Sequence, residues 1–114
     1  DRRAFDVLVL KYQHRIYSLV TRFVRDPDEV QDVVQEAFIK AWSDSRFGLP
    51  DVIAPDQLDF TEIEVRTDAW GRPALRLHGA IARALGNQTA RVSLSHDPDA
   101  DTATAFVVLQ EEGR

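Results

Sequence analysis

The sequence predicts an α+β fold in which an antiparallel helical hairpin packs on a small antiparallel sheet with one further short helix. Two observations predict it. The first part of the chain has apolar residues at helical spacing, and the second part has polar and apolar alternation broken by Gly and Pro. The 114 residues, 44% hydrophobic and 29% charged, are typical of a single domain over residues 1–114. We expect a helical part at 1–42 and an α+β part at 43–114.

Two amphipathic helices are expected first. Over about residues 3–25, one stripe of apolar side chains recurs every three or four residues. Its members are Phe5, Val9, Tyr12, Ile16, Leu19 and Phe23. Asp26 can cap a second helix that ends near Ser43, with Pro27 at its first position and Glu29 three residues after the cap. A tight turn between the two helices would make an antiparallel hairpin.

The remaining elements follow from alternation and from turn residues. We expect an irregular connection over about residues 43–59, which contains Gly48, Pro50 and Pro55. Strands are then predicted at 61–66 and 74–78, separated by a turn at 68–73. A short helix at 80–85 can end at Gly86. Two closing strands are predicted at 91–96 and 102–109, and the aspartates between them are expected to solvate a turn.

The composition limits the classes of function. Residues 1–43 hold seven basic and seven acidic side chains, whereas residues 44–114 hold seven Arg and twelve Asp or Glu. Neither part has the basic surplus of a nucleic-acid-binding module, so we expect no direct nucleic-acid contact. Cys is absent, which excludes disulfides and thiolate metal sites.

The sequence also bears on location and origin. No apolar run approaches the roughly 18 residues of a membrane span, and a signal peptide is not evident. We therefore expect a cytoplasmic protein without membrane contact. Because Met is absent, we expect the sequence to be a fragment, a processed product or an engineered chain.

Two groups of residues could carry chemistry. Glu36 and Lys40 lie one turn apart on one face of the second predicted helix. Their spacing fits an exposed ion pair, and it also fits a carboxylate that holds a divalent cation beside an ammonium that holds phosphate. Ser93, Ser95 and His96 end a predicted strand, which by itself is a weak signal for catalysis.

The first part resembles region 2 of an extracytoplasmic-function sigma factor. The match covers about residues 1–42 and rests on three stretches, 5–15, 23–26 and 31–41. Such a helical hairpin docks on the clamp helices of RNA polymerase, with residues 28–38 as the expected contact surface. The aromatic and basic segments that melt and recognise a promoter do not follow, so promoter recognition is not expected.

From about residue 36 onward the chain resembles holo-acyl-carrier-protein synthase, most closely its actinobacterial form. The matching stretches, in order, are 36–43, 63–65, 67–73, 77–82, 92–96 and 103–109. The resemblance implies a transferase of fatty acid biosynthesis that moves 4'-phosphopantetheine from coenzyme A to a serine of acyl carrier protein, with Mg²⁺. It also implies a homotrimer with sites between subunits.

The same resemblance implies roles for particular residues. Glu36 matches a metal ligand, and Lys40 matches a catalytic lysine near the coenzyme A phosphates. Gly71-Arg72-Pro73 matches a loop beside the nucleotide. Ser95 and His96 match the strand end that closes the site, where His96 is the catalytic candidate.

The start of the chain departs from the pattern of the synthase family. Synthases begin with a strand whose aspartate is the second protein ligand of the metal, and the sigma-like segment stands in its place. The residue before Glu36 is Gln35, where the family usually has Lys. We therefore expect an incomplete metal site and a missing strand, with Asp6 or Asp97 as possible replacement ligands.

The two resemblances overlap at residues 36–41, so we interpret the chain as a chimera joined within one helix. Three functions stay open: a transferase, a module that docks on RNA polymerase, and a folded chain with neither activity.

Overall fold

The structure, a computed structural model, describes residues 5–12, 15–44, 59–86 and 88–111. Six strands and two α-helices occur in this part of the chain. In chain order they are β1 (Phe5–Tyr12), β2 (Arg15–Phe23), α1 (Pro27–Ser43), β3 (Ile63–Thr67), β4 (Pro73–Leu77), α2 (Gly79–Leu85), β5 (Gln88–Asp97) and β6 (Thr102–Glu111). A short 3-10 helix, Phe60–Glu62, precedes β3. The α+β class is confirmed.

The strands form two antiparallel sheets. The larger sheet has the order β1-β2-β6-β5, and the smaller sheet is the β3-β4 hairpin. β6 is a central strand with a partner on each side, and its inward residues Ala103, Ala105, Val107 and Leu109 are buried. The closing β5-β6 hairpin and the β3-β4 hairpin are therefore confirmed as predicted, with ends that differ by a few residues.

The prediction of a first helix over residues 3–25 is wrong, because this segment forms β1 and β2. The three- and four-residue spacing fits a helix, but the same segment also alternates, with Ile16, Ser18 and Val20 buried and their neighbours more exposed. Alternating, β-branched and aromatic residues suit a strand. Pairing with β6 decides between the two periods, since β6 supplies a distant ladder of hydrogen-bonding partners. The helical hairpin is therefore replaced by a β-hairpin followed by one helix.

The second predicted helix is confirmed as α1. Asp26 caps it, Pro27 stands at its start, and Glu29 completes a capping box. Asp26 Oδ1 accepts from the Asp28 backbone N–H at 3.2 Å, while Glu29 Oε1 accepts from the Asp26 backbone N–H at 3.3 Å. These bonds satisfy backbone donors that the first helical turn leaves without partners.

The core lies between α1 and the larger sheet. The fully buried helix side chains are Val33, Val34, Ala37, Phe38, Ala41 and Trp42. They pack against the inward faces of β2 and β6, and Ile63 and Ile81 join the same cluster. Both parts of the sequence therefore contribute to one apolar core. The predicted irregular connection lies almost wholly outside the described residues. No described helix has the length and apolar character needed to cross a membrane.

Candidate functional site

Glu36 lies at the border of the buried face of α1. Its side chain is 19% exposed, and Lys40, one turn later, is exposed to solvent. The capped start of α1 and its six buried side chains fix the helix against the sheet, which sets the position of Glu36 relative to β2. Glu36 is thus held beside the sheet, and Lys40 projects to solvent from the next turn.

The partner of Glu36 is Arg22 of β2. The Arg22 Nη1 atom lies 3.2 Å from Glu36 Oε1, and the Arg22 side chain is 33% exposed. Arg22 is the inward residue that follows Ile16, Ser18 and Val20, at the end of the strand where burial decreases. The contact is an ion pair without the alignment of a good hydrogen bond. The sequence prediction of Glu36 as a partner of Lys40 or of a metal did not include this arginine.

A side chain at the end of β5 also lies on the α1 side of the larger sheet. Arg22 pairs in register with Ala103 of β6, which in turn pairs with His96 of β5. Paired residues share a face, so His96 and Arg22 both lie on the α1 side, two strand spacings or about 10 Å apart. Ser95 pairs with Thr104 and lies on the opposite face. The structure therefore places His96 on the sheet face that meets Glu36 and places Ser95 away from it.

The residues Gly71-Arg72-Pro73 lie in the turn that joins β3 to β4. Asp68 holds this turn, because its Oδ1 accepts from the backbone N–H of Trp70 and of Arg72, both at 2.9 Å, and its Oδ2 accepts from Arg72 Nε at 2.9 Å. The backbone N–H of Arg72 is the main reason why the pKa of Asp68 is below its usual value. Arg72 also lies over the Trp70 ring, 5.1 Å from its centre. Arg72 is thus already engaged within its own turn.

An open cavity of about 490 Å³ lies beside this turn. Its lining comes from the last residues of β3 and from β4, and it includes Arg66, Asp68 and Arg76. Two arginines, Arg66 and Arg76, therefore line a space next to the predicted nucleotide loop. Nothing in the sequence spacing predicted this cavity, since it depends on how the β3-β4 hairpin is paired.

Gln35, the neighbour of Glu36, connects α1 to the smaller sheet. Its Nε2 atom donates to the carbonyl of Ile63 at 2.7 Å and to that of Phe60 at 3.2 Å. The amide therefore fixes the start of β3 against the helix that carries Glu36. Sequence reasoning noted Gln35 only as a departure from the family pattern and missed this role.

A second polar cluster lies on the β3-β4 hairpin and was also missed. Glu64 Oε1 lies 2.8 Å from His78 Nε2, and Glu64 Oε2 accepts from Arg66 Nε at 2.8 Å. The Arg66 hydrogen bond is the largest cause of the lowered pKa of Glu64, and His78 adds to it. The two-residue spacing of Glu64 and Arg66 on a predicted strand was the available signal, because it places both on one face.

The residues around Glu36 do not fit a divalent cation. The described residues contain no group of three or more His, Asp or Glu side chains able to hold a metal ion. The charge next to Glu36 is the Arg22 guanidinium, which repels a cation. Asp97 instead accepts from the Asp99 backbone N–H at 3.1 Å within its own turn, and the Asp6 side chain lies outside the described residues. The neighbouring strand β2 contributes the Arg22 guanidinium, and not a second carboxylate, to the surroundings of Glu36.

Comparison with known proteins supports both resemblances. Residues 8–48 match the family model described as Sigma-70 region 2. The chain is 50% identical over 76 residues to the holo-[acyl-carrier-protein] synthase of Mycobacterium tuberculosis, which covers 67% of this chain and 55% of that protein. It is 41% identical over 80 residues to the synthase of Corynebacterium glutamicum, covering 67% and 59%.

Solved synthase structures share the fold. The ACPS-CoA complex from Chronobacterium ammoniagenes has a TM-score of 0.64 at 44% identity, covering 74% of this chain and 63% of that one. The acyl carrier protein synthase of Mycobacterium tuberculosis has a TM-score of 0.56 at 41% identity, covering 73% and 66%. The sigma-like range begins within β1 and continues through β2 and α1.

The chain spans 55 to 59% of the length of these curated relatives. The chain is therefore similar to Sigma-70 region 2 at residues 8–48 and to holo-acyl-carrier-protein synthases over two-thirds of its length.

Proposed function

We propose that this chain binds coenzyme A and transfers 4'-phosphopantetheine to a serine of acyl carrier protein. The observation that carries the proposal is the 50% identity over 76 residues to a holo-acyl-carrier-protein synthase. The likeness to a synthase structure solved with CoA supports it. Because the chain spans little more than half of the synthases, binding of coenzyme A is the part of the activity to test first.

The proposal gives each candidate residue a task. Lys40 and the turn Gly71-Arg72-Pro73 bind the phosphates and nucleotide of coenzyme A. Transfer breaks a P–O bond of the diphosphate, and Lys40 stabilises the negative charge that develops on the departing nucleotide. His96, at the end of β5, accepts the proton of the attacking serine. Since Glu36 already binds Arg22, no step is assigned to a metal ion.

Calorimetric titration of coenzyme A tests the proposal. We expect saturable binding that Lys40→Ala weakens about tenfold, the loss of one charge-assisted contact with phosphate. Arg91→Ala is the matched control. It removes the same positive charge, but Arg91 is exposed on the opposite face of the sheet. Absence of binding, or equal binding by both variants, would contradict the proposed site. A carrier-protein modification assay then shows whether binding leads to transfer.

A homotrimer with sites between subunits is part of the proposal. Ser95 lies on the sheet face opposite Glu36, so it can contribute to a site only from that side or from a neighbouring subunit. That face also bears exposed Leu8 and Leu10. We expect a trimer in sedimentation equilibrium that Leu10→Glu dissociates and that Phe60→Glu, at another exposed apolar residue, leaves intact. A monomeric parent chain would contradict this part of the proposal.

Docking on the clamp of RNA polymerase is the second candidate function. The family-model match at residues 8–48 favours it, and Asp32 is an exposed residue of α1 within the expected contact surface. Capture by purified core polymerase tests it, with Asp32→Arg expected to abolish capture and Asp99→Arg, in the β5-β6 turn, expected to preserve it. Capture that both variants retain would contradict docking through α1.

A further inference from the structure

We propose that Arg22 takes the place of a divalent cation as the counter-charge of Glu36, so that this site works without metal. The inference concerns the same site as the proposed function and rests on it for the identity of the ligand. Its first test uses metal alone, and therefore does not depend on binding of coenzyme A.

The register of β2 carries the inference. Ile16, Ser18 and Val20 point into the core, and Arg22 is the next residue on that face. A shift of one residue in the pairing of β2 with β6 would turn Thr21 or Phe23 toward α1 instead. At the strand end, the long arginine side chain can keep its stem against the core while its charged group reaches Glu36.

The charges around Glu36 also support the inference that Arg22 replaces a cation. Glu36 is mostly removed from solvent, and a carboxylate in that setting needs a partner of opposite charge. The guanidinium at 3.2 Å supplies this charge and is held in place by the fold. A free cation has to overcome repulsion from the guanidinium and to compete with a group that is always present at high local concentration. Arg22 therefore excludes the ion that a carboxylate at this position would otherwise attract.

Titration with Mn²⁺ in the absence of coenzyme A tests the exclusion. The parent chain is expected to show no saturable binding, whereas Arg22→Asp creates a carboxylate pair and gains one saturable site. The double variant Arg22→Asp with Glu36→Gln is expected to lose that site. Arg91→Asp is the matched control, since it makes the same charge change on the opposite sheet face and gains no site. If Arg22→Asp fails to fold, Mn²⁺ is titrated into Arg22→Gln instead, a variant that removes the guanidinium without adding a negative charge.

Two results of the Mn²⁺ titrations would overturn the inference. One is saturable Mn²⁺ binding by the parent chain that Glu36→Gln abolishes. The other is a folded Arg22→Asp variant, with an unchanged circular dichroism spectrum, that binds no more Mn²⁺ than Arg91→Asp. A coenzyme A titration in Mg²⁺ and in EDTA completes the test, with equal affinity expected and a tenfold or greater loss in EDTA contradicting the inference. Absence of coenzyme A binding in both buffers contradicts the proposed function instead.

Discussion

Ser18 is an unusual residue of the core. It is the only polar residue among the buried residues that the structure describes, and it lies between Val9 of β1 and Val107 of β6. Its hydroxyl has no hydrogen-bond partner in the described part of the chain. A buried hydroxyl without a partner lowers stability because folding removes it from water without compensation.

We expect Ser18→Ala to raise the free energy of unfolding by about 1 kcal/mol, the usual penalty of an unpaired buried hydroxyl. Thr21→Ala is the control. The Thr21 hydroxyl lies 3.0 Å from that of Thr104, so this substitution removes a hydrogen bond and not an unpaired hydroxyl. Urea unfolding of both variants measures the difference. A lower free energy of unfolding for Ser18→Ala would show that its hydroxyl finds a partner in solution.

Asp68 is one residue through which the stability of the folded chain depends on pH. Its folded pKa lies below the usual 3.8, mainly because the carboxylate accepts from the backbone N–H of Arg72. The charged form therefore stabilises the folded chain fully above the unfolded pKa, and this contribution is lost as the pH falls through the folded pKa. Carboxyl NMR shifts of Asp68 should titrate with a midpoint below 3.8. Asp68→Asn should reduce the acid sensitivity of the β3-β4 turn, and a midpoint at or above 3.8 would contradict this account.

At the scale of elements, Glu62 organises the entry to α2. The Glu62 side chain accepts from the Ile81 backbone N–H at 3.1 Å, and its carbonyl accepts from the His78 N–H at 2.9 Å. Gly79 begins the helix at a φ of 60°, and a Cβ there would lie 2.5 Å from Glu62 Oε2. A side chain at this position would therefore displace the carboxylate that caps the helix.

We expect Gly79→Ala to lower the free energy of unfolding by more than Gly71→Ala does. Both glycines have positive φ, and alanine costs about 1–2 kcal/mol in that conformation. Only Gly79 has the additional contact with Glu62, since nothing lies within 4 Å of the Cβ position at Gly71. Thermal or urea unfolding of the two variants measures the difference. Equal losses would indicate that Glu62 moves aside without cost.

At the scale of the molecule, the pairing of β2 with β6 joins the two parts of the sequence. Ser18 pairs with Val107, and Val20 with Ala105, so residues far apart in the chain form one ladder. Paired residues in antiparallel strands have Cα atoms about 5 Å apart. We expect NMR contacts between backbone protons of Ser18 and Val107 and strand-type chemical shifts over β2. Contacts between residues three apart within 15–23 would instead indicate a helix and would contradict the sheet.

The sequence by itself determined the elements whose signals are local. Asp26, Pro27 and Glu29 mark the start of α1, and the turn that contains Gly71 and the aspartate-rich turn before β6 mark the two later hairpins. These signals suffice because a cap or a turn is made by neighbouring residues. The resemblance to holo-acyl-carrier-protein synthase was likewise carried by short stretches in order, and the comparisons bear it out.

Only the tertiary structure decided between helix and strand for residues 5–12 and 15–23, since their apolar residues recur at helical spacing and the alternation of buried side chains in β2 is a property of the folded sheet. The decision comes from pairing: β2 pairs with β6, whose residues lie 79 to 95 positions away along the chain, and β1 pairs with β2. The same pairing placed Arg22 beside Glu36, and the register of β5 with β6 decided that His96, and not Ser95, faces α1. Register and long-range pairing have no local signature, so the charge that neutralises Glu36 became visible only in the folded chain.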